Sequence, residues 1–306
     1  MMALTCGLGV LLQQALTTGS FAVTAEVTPP RGADASRTLE AARLLRPWVH
    51  AVNVTDGSRA VMRMSSLALC RLLLDQGVEP VLQLTCRDRN RIALQAELLG
   101  AQALGIPNVL CLTGDPVRAG DQPEARPVND FESVRLLRQV QQFNAGLDPL
   151  GGELVDGPTR LFAGAAADPQ SLSWSGLKSR LRRKHEAGAG FLQTQMVMDR
   201  AALQRFVEEI TAPLGLPVLA GVFLLKSARN AAFINRVVPG AAIPATIIER
   251  LAQASDPGAE GVAIAAEQVE AYRPLVQGVH LMAIKAEERI PEILSQAGLA
   301  PLNSPG

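Results

Sequence analysis

The chain of 306 residues holds one Tyr, two Trp and eight Phe, so aromatic side chains make up only 4% of it. A site that works by stacking rings has few faces here to use. Cysteines are also few: Cys6, Cys70, Cys86 and Cys111, with no two closer than sixteen positions. That spacing excludes a zinc-finger ligand set. Cys86 and Cys111 sit in apolar runs and read as small buried residues of a reducing compartment. The three His (His50, His185, His280) are scattered, so no metal site is expected. Excess charge is missing too, with 29 basic against 29 acidic residues. That argues against nucleic acid or an anionic membrane held by bulk charge. No run reaches the ~18 apolar residues that span a bilayer. No Lys or Arg precedes Arg31, so "MMALTCGLGVLLQQ" lacks the positive start of a secretory signal. Residues 3–17 are expected to form an opening helix, and the protein to be cytoplasmic.

What is present is a regular alternation. Short apolar runs at 21–27, 50–56, 80–86, 108–114, 160–167, 190–198, 217–225 and 278–284 are each followed by a helix-length amphipathic stretch. The helical patterns lie near 35–46, 64–76, 90–104, 131–144, 172–187, 200–212, 227–237 and 289–298. The runs are apolar or small on both faces, as parallel strands covered by helices must be. Eight such units fit a single TIM barrel over 1–306; a doubly wound sheet is the competing architecture. The interval 240–275 is longer than one unit needs and reads as a helical insertion before strand eight. "GLGVL" and "GAGF" lack the spacing and context of a dinucleotide fingerprint.

A barrel does its chemistry where strands end. This chain places polar groups there repeatedly: Glu26, Thr55 with Asp56, Thr85 with Arg87 and Asp88, Asp115, Asp168, Gln193 with Gln195, Lys226 and Lys285. Glu26 lies inside a strand-like run, where partial burial raises a carboxylic acid's pKa and suits a proton donor. An ion pair with Arg31 or Lys285 is the alternative. Asp115, in Gly-Asp-Pro, is either an Asx turn or a reacting-centre carboxylate. Alternation makes Gln195 interior, a buried amide in need of a partner. Arg182, Arg183 and Lys184 form a basic cluster late in the fifth helix, either solvated or in contact with phosphate. The loop 114–130, with three Pro and two Gly, is the longest irregular stretch at this face.

Taken in order, "AEVTPPR", "VNVTDG", "QLTCRDRNR", "VLCLTGDP", "RRKHEAGAGFLQTQMVMD" and "GVHLMAI" resemble the methylenetetrahydrofolate reductase family, in particular its short bacterial members. The resemblance implies a TIM barrel with FAD on the carboxyl face. A reduced nicotinamide, NAD(P)H, or a partner protein supplies electrons, and hydride passes through the flavin to a tetrahydrofolate derivative. It implies Glu26 as the acid that helps open the imidazolidine ring, and Asp115 beside the flavin and the bound pterin. Gln195 matches a folate contact, and Lys285 joins it as a candidate. Thr55, Thr113, Gly114, Arg183 and Lys184 match flavin-contact positions; Gln83, Asp115 and Asp168 complete the candidate cofactor set. A homo-oligomer is compatible with the pattern. A folate-binding barrel within a larger complex, and a folate-dependent methyltransferase, are the alternatives. The chain departs from the family where Gln83 replaces a His, Thr113 replaces an Arg, and "FAGAAADP" (162–169) lacks a Tyr and a His. Flavin-contact side chains are accordingly fewer.

Overall fold

The computed structural model describes residues 11–154, 156–238 and 240–302. Eight parallel strands close into a barrel in chain order. They are β1 (Ala22–Val27), β2 (Ala51–Val54), β3 (Pro80–Thr85), β4 (Asn108–Leu112), β5 (Phe162–Ala167), β6 (Phe191–Met196), β7 (Val218–Phe223) and β8 (Gly278–Met282). Closure comes from β1 pairing with β8, Ala22 beside Gly278 through Ala25 beside Leu281. The TIM barrel expected from the alternation is therefore present, and the doubly wound sheet is not.

The helices are α1 (Leu11–Thr18), α2 (Ser36–Leu45), α3 (Ser66–Asp75), α4 (Arg91–Ala103), α5 (Ser133–Asn144), α6 (Trp174–Glu186), α7 (Arg200–Phe206), α8 (Ala212–Leu214), α9 (Ala228–Val237), α10 (Ala245–Gln253), α11 (Pro257–Tyr272) and α12 (Ile290–Gln296). Their starts follow local chemistry. Asn90 accepts from Ala93 N–H at 3.0 Å and opens α4. Asp256 accepts from Gly258 and Ala259 N–H at 2.9 and 3.0 Å, with Pro257 at the first helical position of α11. The expected insertion is α10 and α11. The helix expected over 200–212 is broken by a π turn at Val207–Thr211. Pro213 follows, and it has no N–H to offer the preceding turn. Of the expected opening helix, Leu11–Thr18 is helical; residues 3–10, with Cys6, lie outside the described residues. No described helix is long and apolar enough to cross a membrane.

Strand alternation sorts the core into two parts. Val23, Val52, Leu82, Val109, Ala163, Leu192 and Val279 face the helices. Their neighbours Ala22, Ala51, Val81, Leu110, Phe191 and Leu219 face inward and pack on Leu12, Ala15 and Leu16 of α1. Helix α1 thus plugs the amino end of the barrel. Each fully buried Leu in such a floor is worth about 1.5–3 kcal/mol. Glu79 pins the plug. Its carboxylate accepts from Leu11 N–H at 2.6 Å, Leu12 N–H at 3.1 Å and Asn108 Nδ2 at 2.8 Å. Burial still pushes its carboxyl above the ordinary glutamate value, against those three bonds. A third apolar cluster lies at the other end, on the β6–β8 side. There Ala241, Ile243, Leu251 and Ile264 of the insertion region pack with Met196 and Leu225.

Candidate active site at the carboxyl end of the barrel

One step above the floor, the inward residues turn polar. Period-two alternation carries Ala22 to Thr24 and Glu26, Ala51 to Asn53, Val81 to Gln83, and Phe191 to Gln193. Barrel interiors are normally filled by branched apolar side chains, so this layer is unusual. His280 of β8 is fully buried, and its Nδ1 lies 2.9 Å from Thr24 Oγ1. Its Nε2 has no hydrogen-bond partner and stands 3.7 Å from Glu26 Oε2. Gln83 Nε2 donates to the same Glu26 oxygen at 3.1 Å and approaches Asn53 Oδ1 at 3.5 Å. Asn53 Nδ2, Thr55 Oγ1 and Gln193 Oε1 are also buried without partners. Buried polar atoms are normally satisfied, so a column with four orphans marks a place where something else supplies contacts. Glu26 is not in an ion pair with Arg31 or Lys285. Arg31 pairs with Asp121 at 2.6 Å.

Asp56 builds the rim beside this column. It accepts from Thr85 N–H at 2.9 Å, Thr85 Oγ1 at 2.8 Å and Arg89 Nη1 at 2.7 Å. These bonds lock the ends of β2 and β3 together and fix the turn that carries Arg87. Arg87 is buried, and its Nη1 donates to Gly57 O at 3.1 Å. The neighbouring Asp88 carboxylate holds its guanidinium pKa above the ordinary value.

Asp115 lies on the exposed loop after β4. Its Oδ2 accepts from Arg59 N–H at 2.6 Å, 56 residues away, so this contact is not a local Asx turn. Asp168 takes the local turn instead, accepting from Gln170 N–H at 3.0 Å. Thr113, Gly114, Asp115 and Arg183 line one cavity of about 1000 Å³, together with Arg118 and Arg135. Lys184 turns away from it. Its Nζ donates to Ala166 O at 2.6 Å, and burial pulls its ammonium pKa below the ordinary value. Lys285 has φ +58 and lines a second cavity of about 870 Å³ with Arg37, Arg59 and Arg63. Glu26, Thr55, Gln83, Asp168 and Gln195 line neither cavity, so the structure does not bring Glu26 and Asp115 into one cavity. Gln195 is also exposed rather than buried. A register shift between Gln193 and Met196 interrupts the pairing with β7 there, and Gln193 is the buried amide.

Sequence reasoning placed Arg87 at a strand end but missed His280, Asn53 and Arg59. The signal for His280 was its place two positions beyond Gly278 in a strand; it was set aside as a scattered His. Arg59 carried no signal, because its role belongs to its backbone N–H.

The first cavity offers partners for the diphosphate of a flavin dinucleotide. Arg118, Arg135 and Arg183 are in no ion pair among the described residues, and guanidinium groups suit a diphosphate. Gly114 has φ +97, and a Cβ there would come within 3.0 Å of Arg87 Cβ and 3.2 Å of Thr85 Cβ. The backbone therefore forms a smooth wall that only Gly can provide. Thr55 Oγ1, buried without a partner, lies outside this cavity, so the fit rests on the three arginines and Gly114. These residues fit the phosphate-bearing part of the group. For its rings the cavity has a single aromatic side chain, Phe131, over which Arg91 lies at 5.5 Å.

A family model described as methylenetetrahydrofolate reductase matches residues 11–298. Methylenetetrahydrofolate reductase 2 of Schizosaccharomyces pombe is 25% identical over 270 residues, covering 81% of this chain and 40% of that protein. A probable methylenetetrahydrofolate reductase (NADPH) of Caenorhabditis elegans is 24% identical over 251 residues, covering 77% and 35%. The chain thus spans less than half the length of these curated relatives. A solved structure from Clostridium thermocellum, an uncharacterized protein that binds two copies of 5-methyl-5,6,7,8-tetrahydrofolic acid, superposes with a TM-score of 0.65. It is 14% identical and covers 94% of this chain and 98% of its own, a likeness of fold.

Proposed function

The chain belongs to the methylenetetrahydrofolate reductase family, and from that premise we propose that it reduces 5,10-methylenetetrahydrofolate to 5-methyltetrahydrofolate with FAD as hydride carrier. The observation that best supports this is Glu26. It is a partly buried carboxylate with one donor, Gln83, and an unpartnered His280 Nε2 beside it.

Opening the imidazolidine ring requires a proton on the departing nitrogen, and Glu26 supplies it. Gln83 orients the carboxyl. His280, held by Thr24, is placed to exchange a proton with it. Asp115 keeps one oxygen on Arg59 N–H and turns a negative charge to the cavity. There it stabilises the cationic iminium and accepts from the guanidine-like edge of the pterin. Lys285, on the second cavity, contacts the rest of the folate, and Gln195 stays a proposed folate contact although it lines neither cavity. FAD, when bound, supplies the hydride chemistry. Thr55, Thr113, Gly114 and Arg183 would hold it, with Arg118 and Arg135 on its phosphates. Lys184 and Asp168, off the cavity, would act on the cofactor only by holding the end of β5, through Ala166 O and the Gln170 turn. NAD(P)H or a partner protein delivers the electrons. The setting is the cytoplasm, in keeping with the buried free thiols of Cys70, Cys86 and Cys111.

A second reading, a folate-binding barrel within a larger complex, is supported by the single aromatic lining of the cavity. The test is direct. Purified protein should show flavin absorption or take up FAD on titration, and should bind the reduced folate. Folate binding without flavin uptake moves the assignment to the second reading.

A further inference from the structure

The loops after β2 and β4 cross above the barrel and are stitched together by carboxylates. Asp115 Oδ2 holds Arg59 N–H at 2.6 Å. Asp121 Oδ1 holds Met62 N–H at 3.1 Å, and its Oδ2 pairs with Arg31 at 2.6 Å. Gly57, Arg59 and Ala60 all have positive φ, at 54, 57 and 56°. Arg59 and Ala60 are not glycines, and such conformations persist only where the surroundings hold them. The crossing is also tight: a Cβ on Gly120 would sit 1.8 Å from Ala60 O. Three loops, from β1, β2 and β4, therefore meet at Asp121.

We propose that this strap is the positioning element of the reacting carboxylate, with Asp121 as its positioning residue. Asp115 is exposed on a loop, where an unrestrained carboxylate would rotate freely. Arg59 N–H pins Oδ2, and Oδ1 accepts from no donor among the described residues. The pinned group offers one oxygen in a fixed direction to the cavity it lines. Arg59 N–H holds that direction only while the left-handed turn survives. The turn is held by Asp121 through Met62 N–H and by the close approach of Gly120 to Ala60 O. Orientation of this kind is worth much in rate and little in binding: about 1 Å of misplacement can cost on the order of 10²-fold.

The proposal rests on the reductase reading above, and the experiment separates the two. Asp121→Ala and Gly120→Ala are each compared with wild type, with Asp115→Asn, and in combination with Asp115→Asn. Each is loaded with FAD, reduced anaerobically and mixed with 5,10-methylenetetrahydrofolate. Both strap variants should reoxidise about ten-fold or more slowly at saturating folate, with the half-saturating concentration nearly unchanged. In the Asp115→Asn background neither should add a further loss, because the strap acts through the charge it aims. A purely structural loop would give additive losses, or losses in half-saturation and melting temperature alone; either result overturns the proposal. Gly120→Ala is the harsher change, so Asp121→Ala keeps the test usable if it fails to fold. Wild-type protein that is never reoxidised by the folate defeats the reductase reading itself. Wild-type turnover with full-rate strap variants defeats only the strap.

Discussion

Two glutamates stand at opposite ends of this barrel, and their surroundings give them opposite work. Glu79, at the floor, accepts three hydrogen bonds and ties α1 to the strands. Glu26, at the mouth, receives one bond from Gln83 and faces a His280 nitrogen with no partner. A buried carboxylate whose lone pairs are spent on backbone and amide donors is a fastener. One left under-satisfied beside another under-satisfied polar atom is free to move a proton or meet a ligand. Glu79 is the more buried of the two, and it is also the one whose oxygens are taken by three donors.

The comparison is broken most forcefully at Glu26. Glu26→Gln should keep the fold and the flavin but slow the folate half-reaction by about 10²-fold or more, as for a lost general acid. Stopped-flow measurement of each half-reaction checks this; equal losses in both would make Glu26 a second fastener. Asp115→Asn comes next. Asn can still accept Arg59 N–H, so the melting temperature should hold while reoxidation loses about 2–4 kcal/mol of barrier stabilisation. Wild-type reoxidation would return Asp115 to a role in the loop alone.

At the floor the effect is smaller and of the other kind. Glu79→Ala strands two helix N–H groups and takes one of the two acceptors of Asn108 Nδ2, leaving Pro80 O, at about 1–3 kcal/mol of stability. Denaturant unfolding should register it, with turnover per folded molecule unchanged. Glu79→Gln sharpens the point through pH. The folded carboxyl is raised above its ordinary value of 4.5. Its contribution is therefore full below that value and is lost as pH rises through the raised one. The stability gap between wild type and Glu79→Gln should narrow over that window, and a widening gap would contradict the burial account.

The barrel was legible because each strand is a short run apolar on both faces and each is followed by an amphipathic stretch of helix length. Those signals are local. Of the candidate site, the sequence showed the polar groups at the strand ends, such as Glu26, Thr55 and Asp115, but not what each of them touches. The Thr24–His280 contact joins residues 256 apart across the closing seam, which alternation cannot reveal. The pinning of Asp115 depends on left-handed turns at Arg59 and Ala60, residue types that do not announce positive φ. The burial expected of Gln195 fails because an extra residue enters β6, shifting the register between Gln193 and Met196.

The central claim is that the mouth holds a working acid for folate reduction. It is tested most directly by anaerobic mixing of FAD-loaded, prereduced protein with 5,10-methylenetetrahydrofolate. The account predicts return of the oxidised flavin spectrum with one 5-methyltetrahydrofolate formed per flavin in wild type, and a rate lower by about 10²-fold in Glu26→Gln. A reduced flavin that stays reduced in wild type, or reoxidises equally fast in Glu26→Gln, would contradict it.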